Sequence, residues 1–274
     1  MIDIKNLSYT YMKGTPFEKT ALKNISLNID DGNFLAIAGH TGSGKSTLIQ
    51  IIAGLIDVPK GSVEVDGESI KNKSARRKIG IVFQYPEHQL FEETVERDIA
   101  FGPRNFGLSE DEIISRVDES MQLVGLDLAL KDKSPFELSG GQRRRVAIAG
   151  ILALKPKYLI LDEPTAGLDP RAKKNLLAEI QRLHELGVTI ILVSHSMEDI
   201  ANLASRVIVL TDGEILFDGT PRKLFVHEKI LNRAGLIPPA ATKLLQKISR
   251  AGLNVNAEVL TIDEAENEIW RAIK

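Results

Sequence analysis

The sequence predicts an α/β fold in which buried strands alternate with helices and a helical segment interrupts the strand-rich core. Four apolar runs have the length of buried strands and lie at residues 33–38, 79–83, 158–161 and 188–193. The first run is followed by a glycine-rich stretch and then by apolar residues at helical spacing. Residues 92–154 show helical patterning without strand signals. Alternating strands and helices of this kind are typical of a parallel sheet covered by helices.

Length and composition describe an ordinary folded protein. The chain has 274 residues, of which 43% are hydrophobic and 26% charged, enough for one large domain or a domain with an appendage. The net charge of −2 gives no reason to expect nucleic acid as a partner. The absence of cysteine excludes disulfides, thiolate metal ligands and a cysteine nucleophile. Residues 1–6 lack signal-peptide features, and no apolar stretch approaches the ~18–20 residues of a bilayer span. We therefore expect a cytosolic protein whose membrane role, if any, depends on a partner.

The glycine-rich stretch after the first apolar run fits the pattern G-x-x-x-x-G-K-[ST]. It reads Gly39-His40-Thr41-Gly42-Ser43-Gly44-Lys45-Ser46, and helical spacing follows from Thr47. Glycines let backbone N–H groups approach phosphate oxygens closely, and the following helix start favours an anion. The motif assigns Lys45 to the β- and γ-phosphates and the Ser46 hydroxyl to Mg²⁺. A glycine-rich turn that merely caps a helix is the alternative, and the strand–loop–helix context argues against it. We call residues 39–46 the phosphate loop.

Three predicted strands end on polar side chains, namely Gln84, Asp162 and His195. Ligands bind at the carboxyl ends of parallel strands, so these ends are candidates for an active site. Asp162 suits a Mg²⁺ contact, and Glu163, expected on the opposite side of the strand, could take a proton from water. Solvated surface carboxylates and a structural histidine are the alternatives. Three convergent strand ends beside a phosphate loop favour the active site.

A second glycine-rich helix start ends the helical segment. It reads Leu138-Ser139-Gly140-Gly141-Gln142, and we expect a helix from Arg143 to about Leu154. This start is again suited to an anion, but it has no lysine and no hydroxyl placed to hold a metal. It could therefore complete a phosphate site but not build one. Arginines at 143–145 lie at the positive end of the helix, which indicates either function or pairing with Glu137 or neighbouring acids.

The remaining elements frame these motifs. Strands are predicted at residues 2–8 and 22–29, and Asp-Gly turns predict hairpins at 62–70 and 207–217. Helices are predicted at 110–124 behind a Ser109–Glu112 capping box, at 170–186, 222–233 and 240–251, and after Thr261 with Glu264. Between the first two strands, Tyr9, Tyr11 and Phe17 could pack on an adenine ring or fold back onto the strand edge.

Five motifs follow one another along the chain, namely the phosphate loop, Gln84, Leu138–Gln142, Leu161-Asp162-Glu163 and His195. Together they resemble the nucleotide-binding domain of an ABC ATPase over residues 1 to about 220. The resemblance implies a P-loop NTPase fold of ABC type with an antiparallel β subdomain and an inserted helical subdomain at about 92–154. It implies that residues 221–274 form an α-rich C-terminal extension that aids dimerisation. It also implies a head-to-tail dimer that sandwiches two ATP molecules, with the phosphate loop of one subunit facing Leu138–Gln142, the signature segment, of the other.

The resemblance implies a role for each matching position. Glu163 is the general base, His195 contacts the γ-phosphate, and Gln84 contacts both the metal and the attacking water. The implied Mg²⁺ contacts are Ser46, Gln84 and Asp162. The implied ATP contacts are Tyr11 as the adenine-stacking ring, Gly39, His40, Thr41, Gly42, Ser43, Gly44, Lys45, Ser46, Thr47, Ser139, Gly140, Gly141, Gln142 and Asp169, the last in a loop that crosses the dimer interface.

Within that superfamily, residues 83–91 and 98–102 resemble the energy-coupling-factor branch, and residues 86–94 resemble the second of its paired ATPases. The branch imports vitamins or transition-metal ions. Its two ATPases, often non-identical, bind a transmembrane coupling protein, whose coupling helix docks near residues 89–98, and a substrate-capture protein. The resemblance therefore implies a peripheral protein on the cytoplasmic face of the cell membrane.

Three alternatives stay open at this point. They are an ATPase of another ABC transporter class, a soluble ABC ATPase acting on nucleic acid or ribosomes, and a purely structural dimer module. The choice between homodimer and heterodimer and the identity of the transported substrate are open as well.

Overall fold

The computed structural model of the protein describes residues 1–273 and divides into two compact units. The first unit consists of residues 1–70 together with the chain from Ile191 onward, and the second consists of Lys71–Ile190. No helix in the described part of the chain has both the length and the apolar character needed to cross a membrane.

The described chain begins with strands, then mixes strands and helices around a group of helices at residues 95–152, and ends in helices. The strands are β1 (Ile2–Tyr11), β2 (Lys19–Ile29), β3 (Phe34–Ala38), β4 (Lys60–Val65), β5 (Glu68–Ser69), β6 (Ile79–Val82), β7 (Tyr158–Asp162), β8 (Thr189–Val193), β9 (Arg206–Thr211) and β10 (Glu214–Gly219). The helices are α1 (Lys45–Ile52), α2 (Lys73–Arg76), α3 (Val95–Asn105), α4 (Glu110–Leu123), α5 (Gly140–Leu152), α6 (Pro170–Glu185), α7 (Met197–Leu203), α8 (Pro221–Val226), α9 (Glu228–Ala234), α10 (Ala240–Arg250) and α11 (Ile262–Ile273).

An antiparallel sheet in the first unit has the strand order β2-β1-β4-β5. Its register is fixed by alternating apolar residues, so that Ile2 faces both Ile29 and Val65 and all three are buried. The predicted hairpin turn is confirmed, since Asp66 and Gly67 have φ of 52° and 78°. Two successive positive φ values match the twist of a two-residue hairpin, and an Asp-Gly pair tolerates them.

The first unit also contains the strand that leads into the phosphate loop. All five residues of β3 are buried, and β3 pairs in parallel with β9, which in turn pairs antiparallel with β10. The backbone N–H of Ser194 donates to the Ile37 carbonyl at 3.4 Å, which places the end of β8 beside β3. Side chains of β3, β9 and helices α7, α8 and α9 share one apolar core that includes Ile200 and Phe225.

The second unit pairs β6 in parallel with β7, with Val82 opposite Leu161. The start of β8 lies beside the residue that precedes β7, because the Thr189 N–H donates to the Lys157 carbonyl at 3.1 Å. Helices α3, α4 and α5 of this unit contact one another. The predicted capping box of α4 is confirmed: the Ser109 hydroxyl accepts from the Glu112 N–H, and the Glu112 carboxylate accepts from the Ser109 N–H.

The structure corrects several predicted boundaries. The helix predicted from Arg143 begins at Gly140, because Ser139 caps it and its two glycines form the first turn. The helix predicted at 222–233 is two helices, α8 and α9, divided at His227. At the start of the last helix, the Thr261 hydroxyl accepts from the Glu264 N–H at 3.2 Å, as predicted, and the Glu264 carboxylate also accepts from the Leu260 N–H at 2.8 Å.

Candidate functional site

The phosphate loop joins β3 to α1 and depends on glycine backbone conformations. Gly39, Gly42 and Gly44 have φ of 145°, 83° and 107°, values that L side chains rarely adopt. A Cβ on Gly39 would lie 2.2 Å from the Leu210 carbonyl oxygen, and one on Gly44 would lie 2.6 Å from that of Ala21. A Cβ on Gly42 would meet no atom within 4 Å. The outer two glycines are thus required by the fold itself, whereas Gly42 faces open space.

Lys45 and Ser43 supply polar atoms inside this loop. Lys45 is only 6% exposed, and its ammonium group donates to the carbonyl oxygens of Gly39 at 2.7 Å and His40 at 3.0 Å. The Ser43 hydroxyl oxygen is buried and has no hydrogen-bond partner among the described residues. A buried hydroxyl without a partner is costly, which points to a polar ligand or water at this position. No side chain caps the start of α1, so its first N–H groups are open to an anion.

Tyr11, which is predicted to stack on adenine, lies beside the phosphate loop. It is the last residue of β1 rather than a loop residue, and its hydroxyl lies 3.1 Å from the Thr47 hydroxyl. Its ring makes an edge-to-face contact with Tyr9, with centroids 4.8 Å apart. A cavity of about 250 Å³ is lined by Tyr11, Lys19, Ala21, Gly42, Gly44, Lys45, Ser46 and Thr47.

His195 follows β8 and reaches the opposite side of the same loop. It shares a cavity of about 400 Å³ with Gly39, His40 and Thr41. Burial lowers the pKa of the His195 imidazole below its usual value, and the positive charge of Lys45 lowers it further. The imidazole is therefore neutral at pH 7, with one N–H that can donate. The first unit thus brings together Tyr11, the phosphate loop and His195.

The second unit brings together the other strand-end residues. Since Val82 pairs with Leu161 in parallel strands, Gln84 and Glu163 each lie two residues beyond a paired position at the same edge of the sheet. Gln84 is exposed and Asp162 half-buried. Glu163 does not continue the strand, as its φ of 50° lies in the left-handed region. Strand alternation therefore does not set the direction of its side chain, which corrects the reasoning from sequence.

The signature segment forms the exposed first turn of α5. The Ser139 hydroxyl accepts from the Gln142 N–H at 3.3 Å, and the Gln142 side-chain oxygen accepts from the Ser139 N–H and hydroxyl, both at 3.0 Å. Gly140 and Gly141 are exposed, and a Cβ on either would meet no atom within 4 Å. Nearby, the Asp169 carboxylate accepts from the N–H groups of Arg171 and Ala172, both at 2.9 Å, and caps α6. Asp169 therefore has a structural role as a helix cap, and its predicted contact with ATP across a dimer interface stays a prediction.

Sequence reasoning missed the role of Arg144. Its side chain is nearly buried and forms a bidentate ion pair with Glu87, and its remaining amino group donates to the Pro164 and Ala166 carbonyls. Arg144 thus pairs with an acid, but this acid is neither Glu137 nor close to the arginine cluster in the sequence. The sequence did contain a signal that Arg144 is buried, because Arg144 lies four residues before the apolar Ile148, on the same face of the helix, and Ile148 is buried.

Comparison with known proteins decides the family. A family model described as ABC transporter matches residues 22–166. The energy-coupling factor transporter ATP-binding protein EcfA2 of Clostridium perfringens (strain 13 / Type A) is 53% identical over 280 residues, which cover 100% of this chain and 98% of that protein. EcfA2 of Clostridium acetobutylicum is 52% identical, with the same two shares covered. The chain belongs to the EcfA2 family of ABC transporter ATPases.

Solved structures of ABC ATPases share this fold. The structure of cbiO1 from Clostridium perfringens, described as part of the ABC transporter complex cbiONQ, has a TM-score of 0.74 and 37% identity, and the match covers 92% of this chain and 96% of that one. A dimeric, post-hydrolysis structure of the ATP-binding cassette MJ0796 bound to ADP and Pi has a TM-score of 0.71 and 33% identity. The match covers 81% of this chain and 99% of that one. The predicted fold class, ATPase family and energy-coupling-factor branch are confirmed.

Three features of the phosphate loop fit the binding of a nucleoside triphosphate. The phosphate loop has an uncapped helix start, a buried ammonium group and a buried hydroxyl without a partner. The donor set predicted for Mg²⁺, which is Ser46, Gln84 and Asp162, consists of oxygen ligands that this hard cation prefers. Among the described residues no group of three His, Cys, Asp or Glu could hold a metal alone. Such a sparse set suits a metal that is bound mainly through substrate phosphates.

Proposed function

We propose that this chain hydrolyses ATP as the second of two paired ATPases in an energy-coupling-factor importer, and thereby powers uptake of vitamins or transition-metal ions. The observation that carries the proposal is the pair of unlike glycine-rich helix starts. One holds a buried lysine and lies beside Tyr11 and His195, and the other is an exposed turn without a cation. The exposed turn can bind an anion but cannot hold a nucleotide alone. A site shared between two subunits requires such a segment, which completes a nucleotide site that another subunit provides.

Residues of the first unit are proposed to bind and orient the triphosphate. The phosphate-loop N–H groups and Lys45 neutralise phosphate oxygens, and Thr47 helps to position Tyr11 through their hydroxyl contact. Lys45 must release the carbonyl oxygens of Gly39 and His40 to reach a phosphate. His195 contributes a neutral N–H donor because its pKa is lowered by burial and by Lys45.

Residues of the second unit are proposed to prepare the attacking water. Glu163 accepts the proton from that water, and Gln84 orients it. The residues proposed to hold Mg²⁺ are Ser46, Gln84 and Asp162, and a bound ion would neutralise charge on the phosphates. Since phosphoryl transfer needs little covalent help from a protein, positioning and charge are the main contributions of these side chains.

Replacing the proposed base tests this function. Glu163→Gln keeps the size of the side chain and removes its ability to accept a proton, so ATP binding should persist while turnover falls by roughly 10²–10⁴-fold. Phosphate release and nucleotide binding are measured on the same preparations. Glu185→Gln, at the exposed end of α6, is the matched control and should leave both unchanged. Undiminished phosphate release in Glu163→Gln would refute the assignment.

We propose that the active form is a head-to-tail dimer of two ATPase subunits, whether identical or not. The exposed signature segment of each subunit then completes the phosphate site of the other. Residues 221–274 are proposed to support that association as a C-terminal extension of the nucleotide-binding domain, residues 1–220. The dimeric form of MJ0796 bound to ADP and Pi supports the arrangement.

The partners proposed in the membrane are a transmembrane coupling protein and a substrate-capture protein, which would hold this chain at the cytoplasmic face. The segment proposed for docking, residues 89–98, contains Phe91, whose exposed ring makes an edge-to-face contact with exposed Phe101, with centroids 4.9 Å apart. Exposed aromatic pairs of this kind are common at protein interfaces. Isolation of the native complex from membranes, with Phe91→Ser/Phe101→Ser as the disrupting variant, tests this. Retention of the membrane subunits by that variant would contradict the docking site.

A further inference from the structure

The C-terminal part of the first unit contains a cavity that the ATPase mechanism does not use. Its volume is about 330 Å³, within the range of small-molecule sites. Helices α9 and α10 form two walls, and residues 236–238, in the segment that connects them, form the third. The lining residues are Glu228, Leu231 and Asn232 of α9, Leu236, Ile237 and Pro238 of the connection, and Lys243, Gln246, Lys247 and Arg250 of α10.

The charge of this cavity is opposite to that of the whole chain. Three cations, Lys243, Lys247 and Arg250, and one acid, Glu228, give the lining a net charge of +2 (3 − 1), whereas the chain carries −2. Arg250 forms an ion pair with Glu228. Neither Lys243 nor Lys247 has a side-chain ion pair or hydrogen bond among the described residues. Two unpaired ammonium groups four residues apart on one helix repel each other, and an anion between them would relieve that repulsion.

The polar wall is held in place from behind. Leu245 of α10 is fully buried, and the Thr242 hydroxyl donates to the Val259 carbonyl at 2.6 Å. The Gln246 side-chain amide donates to the Phe225 carbonyl at 2.9 Å, which ties α10 to α8. The helix that carries Lys243 and Lys247 is therefore fixed to the core, and their exposed side chains line the cavity from it.

One wall of this cavity is shared with the nucleotide site. Leu236, Ile237 and Pro238 also line the cavity that contains His40, Thr41 and His195. The connection begins at Gly235, which ends α9 in the left-handed conformation with φ of 66°. A change in the position of this connection would alter both cavities at once.

We propose that the cavity between α9 and α10 binds a small anion with an apolar body, through Lys243 and Lys247, and that its occupancy changes nucleotide affinity through residues 236–238. The ammonium groups take the anion, and Leu231, Leu236 and Ile237 take the apolar body. A concave site of this volume favours a small molecule over a flat anionic lipid surface. Because linkage is reciprocal, ATP must change the affinity for the anion by the same factor.

Calorimetric titration of the full-length chain with phenyl phosphate tests the binding. Saturable binding is expected at this cavity, at least about tenfold weaker for Lys243→Glu/Lys247→Glu and unchanged for Lys229→Glu, an exposed lysine of α9 that does not line the cavity. Any binding of phenyl phosphate at the phosphate loop is the same in all three chains and is subtracted. Phenylacetate tests whether a carboxylate suffices, and inorganic phosphate tests the need for the apolar body. Equal binding by all three chains would overturn the site, as would binding of inorganic phosphate as tight as that of phenyl phosphate. Loss of anionic-vesicle binding in the double variant, without any phenyl phosphate binding by the unmodified chain, would replace the small molecule with a lipid surface.

The coupling between the anion site and the nucleotide site is measured separately. It is the only part of this proposal that rests on the proposed function. ATP affinity is measured with and without saturating phenyl phosphate, and a change of about fivefold is expected in the unmodified chain but not in the double variant. An unchanged ATP affinity would overturn the coupling while leaving the anion site in place. Failure of ATP to bind in either condition would instead count against the nucleotide site itself.

Discussion

Arg144 and Glu87 form a bidentate ion pair, with the guanidinium Nε and Nη2 atoms each 3.0 Å from a carboxylate oxygen. Arg144 lies in the second turn of the helix that begins at the signature segment, and Glu87 lies three residues after Gln84. The same guanidinium donates to the carbonyls of Pro164 and Ala166, in the turn after Glu163. One buried side chain thus joins three segments that carry predicted site residues of the second unit.

Removal of that arginine should destabilise the protein more than removal of its neighbour. Burial raises the pKa of the Glu87 carboxyl, but hydrogen bonds and the charge of Arg144 outweigh it and leave the pKa below its ordinary value. Arg144→Met leaves this carboxylate half-buried without its partner, at a cost of about 3 kcal/mol in the free energy of unfolding. Urea denaturation measures the change. Arg145→Met, which breaks only a 3.8 Å contact to Glu179, is the control, and equal costs would contradict the prediction.

Tyr11 should contribute to ATP affinity through its ring rather than its hydroxyl. Stacking of a base on an aromatic ring contributes about 1–3 kcal/mol, so Tyr11→Ala should weaken ATP binding by about tenfold or more. Tyr11→Phe keeps the ring and loses only the 3.1 Å contact to Thr47, so its affinity should stay within about threefold of the unmodified chain. Equilibrium titration with a fluorescent ATP analogue separates the two. If the phenylalanine variant binds as poorly as the alanine variant, the ring does not stack on adenine.

The titration of His195 should depend on Lys45. Because Lys45 lowers the pKa of this imidazole in addition to burial, Lys45→Ala should raise it, as followed by NMR of the histidine ring protons. Lys13→Ala, an exposed loop residue, should leave the pKa where it is. An unshifted resonance in Lys45→Ala would show that the two side chains do not interact.

The lowered pKa of His195 also makes the free energy of unfolding depend on pH. The pKa of His195 is lower in the folded state than its ordinary value of 6.5, so the unfolded state binds more protons between the two values. This contribution to stability is complete above about pH 6.5 and is lost as the pH falls through the folded-state pKa. His195→Gln should flatten the pH dependence of unfolding in that window. An identical profile in the variant would contradict the shift.

Two glycines of the phosphate loop should respond differently to alanine. Gly39→Ala places a Cβ 2.2 Å from the Leu210 carbonyl oxygen, so the backbone must move and the stability should fall by more than about 3 kcal/mol. Gly42→Ala meets no atom within 4 Å and should cost only about 1–2 kcal/mol from its positive φ. Thermal unfolding compares the variants. Equal losses of stability would mean that the loop packs differently.

The sequence predicted those parts of the fold that local pattern determines. Buried strands were visible as apolar runs, and the Ser109–Glu112 cap of α4 was visible because both partners are three residues apart. The start of α5 was predicted three residues late, since two glycines have low helix propensity and hide a first turn that Ser139 and Gln142 stabilise. The division of the helix predicted at 222–233 was missed because apolar spacing continues across His227.

Long-range pairing could not be predicted from the sequence. Arg144 and Glu87 are 57 positions apart, and nothing local indicates which acid the arginine cluster meets. The direction of Glu163 was argued from strand alternation, but the strand ends at Asp162 and the backbone of Glu163 turns to a positive φ. Backbone conformation after a strand depends on the turn that follows, here through Pro164, and periodicity carries no information about it.

The most direct test of the shared catalytic site is an ATP-loaded structure of the Glu163→Gln variant in its native complex. We expect Ser139 and Gly141 of this chain to donate to the γ-phosphate that the other ATPase subunit holds, at distances of about 3 Å. We also expect the side chain at position 163 of the Glu163→Gln variant to lie within hydrogen-bond reach of the water beside the γ-phosphate that Lys45 of this chain contacts. A closed dimer in which residues 139–142 point away from every phosphate would contradict the account.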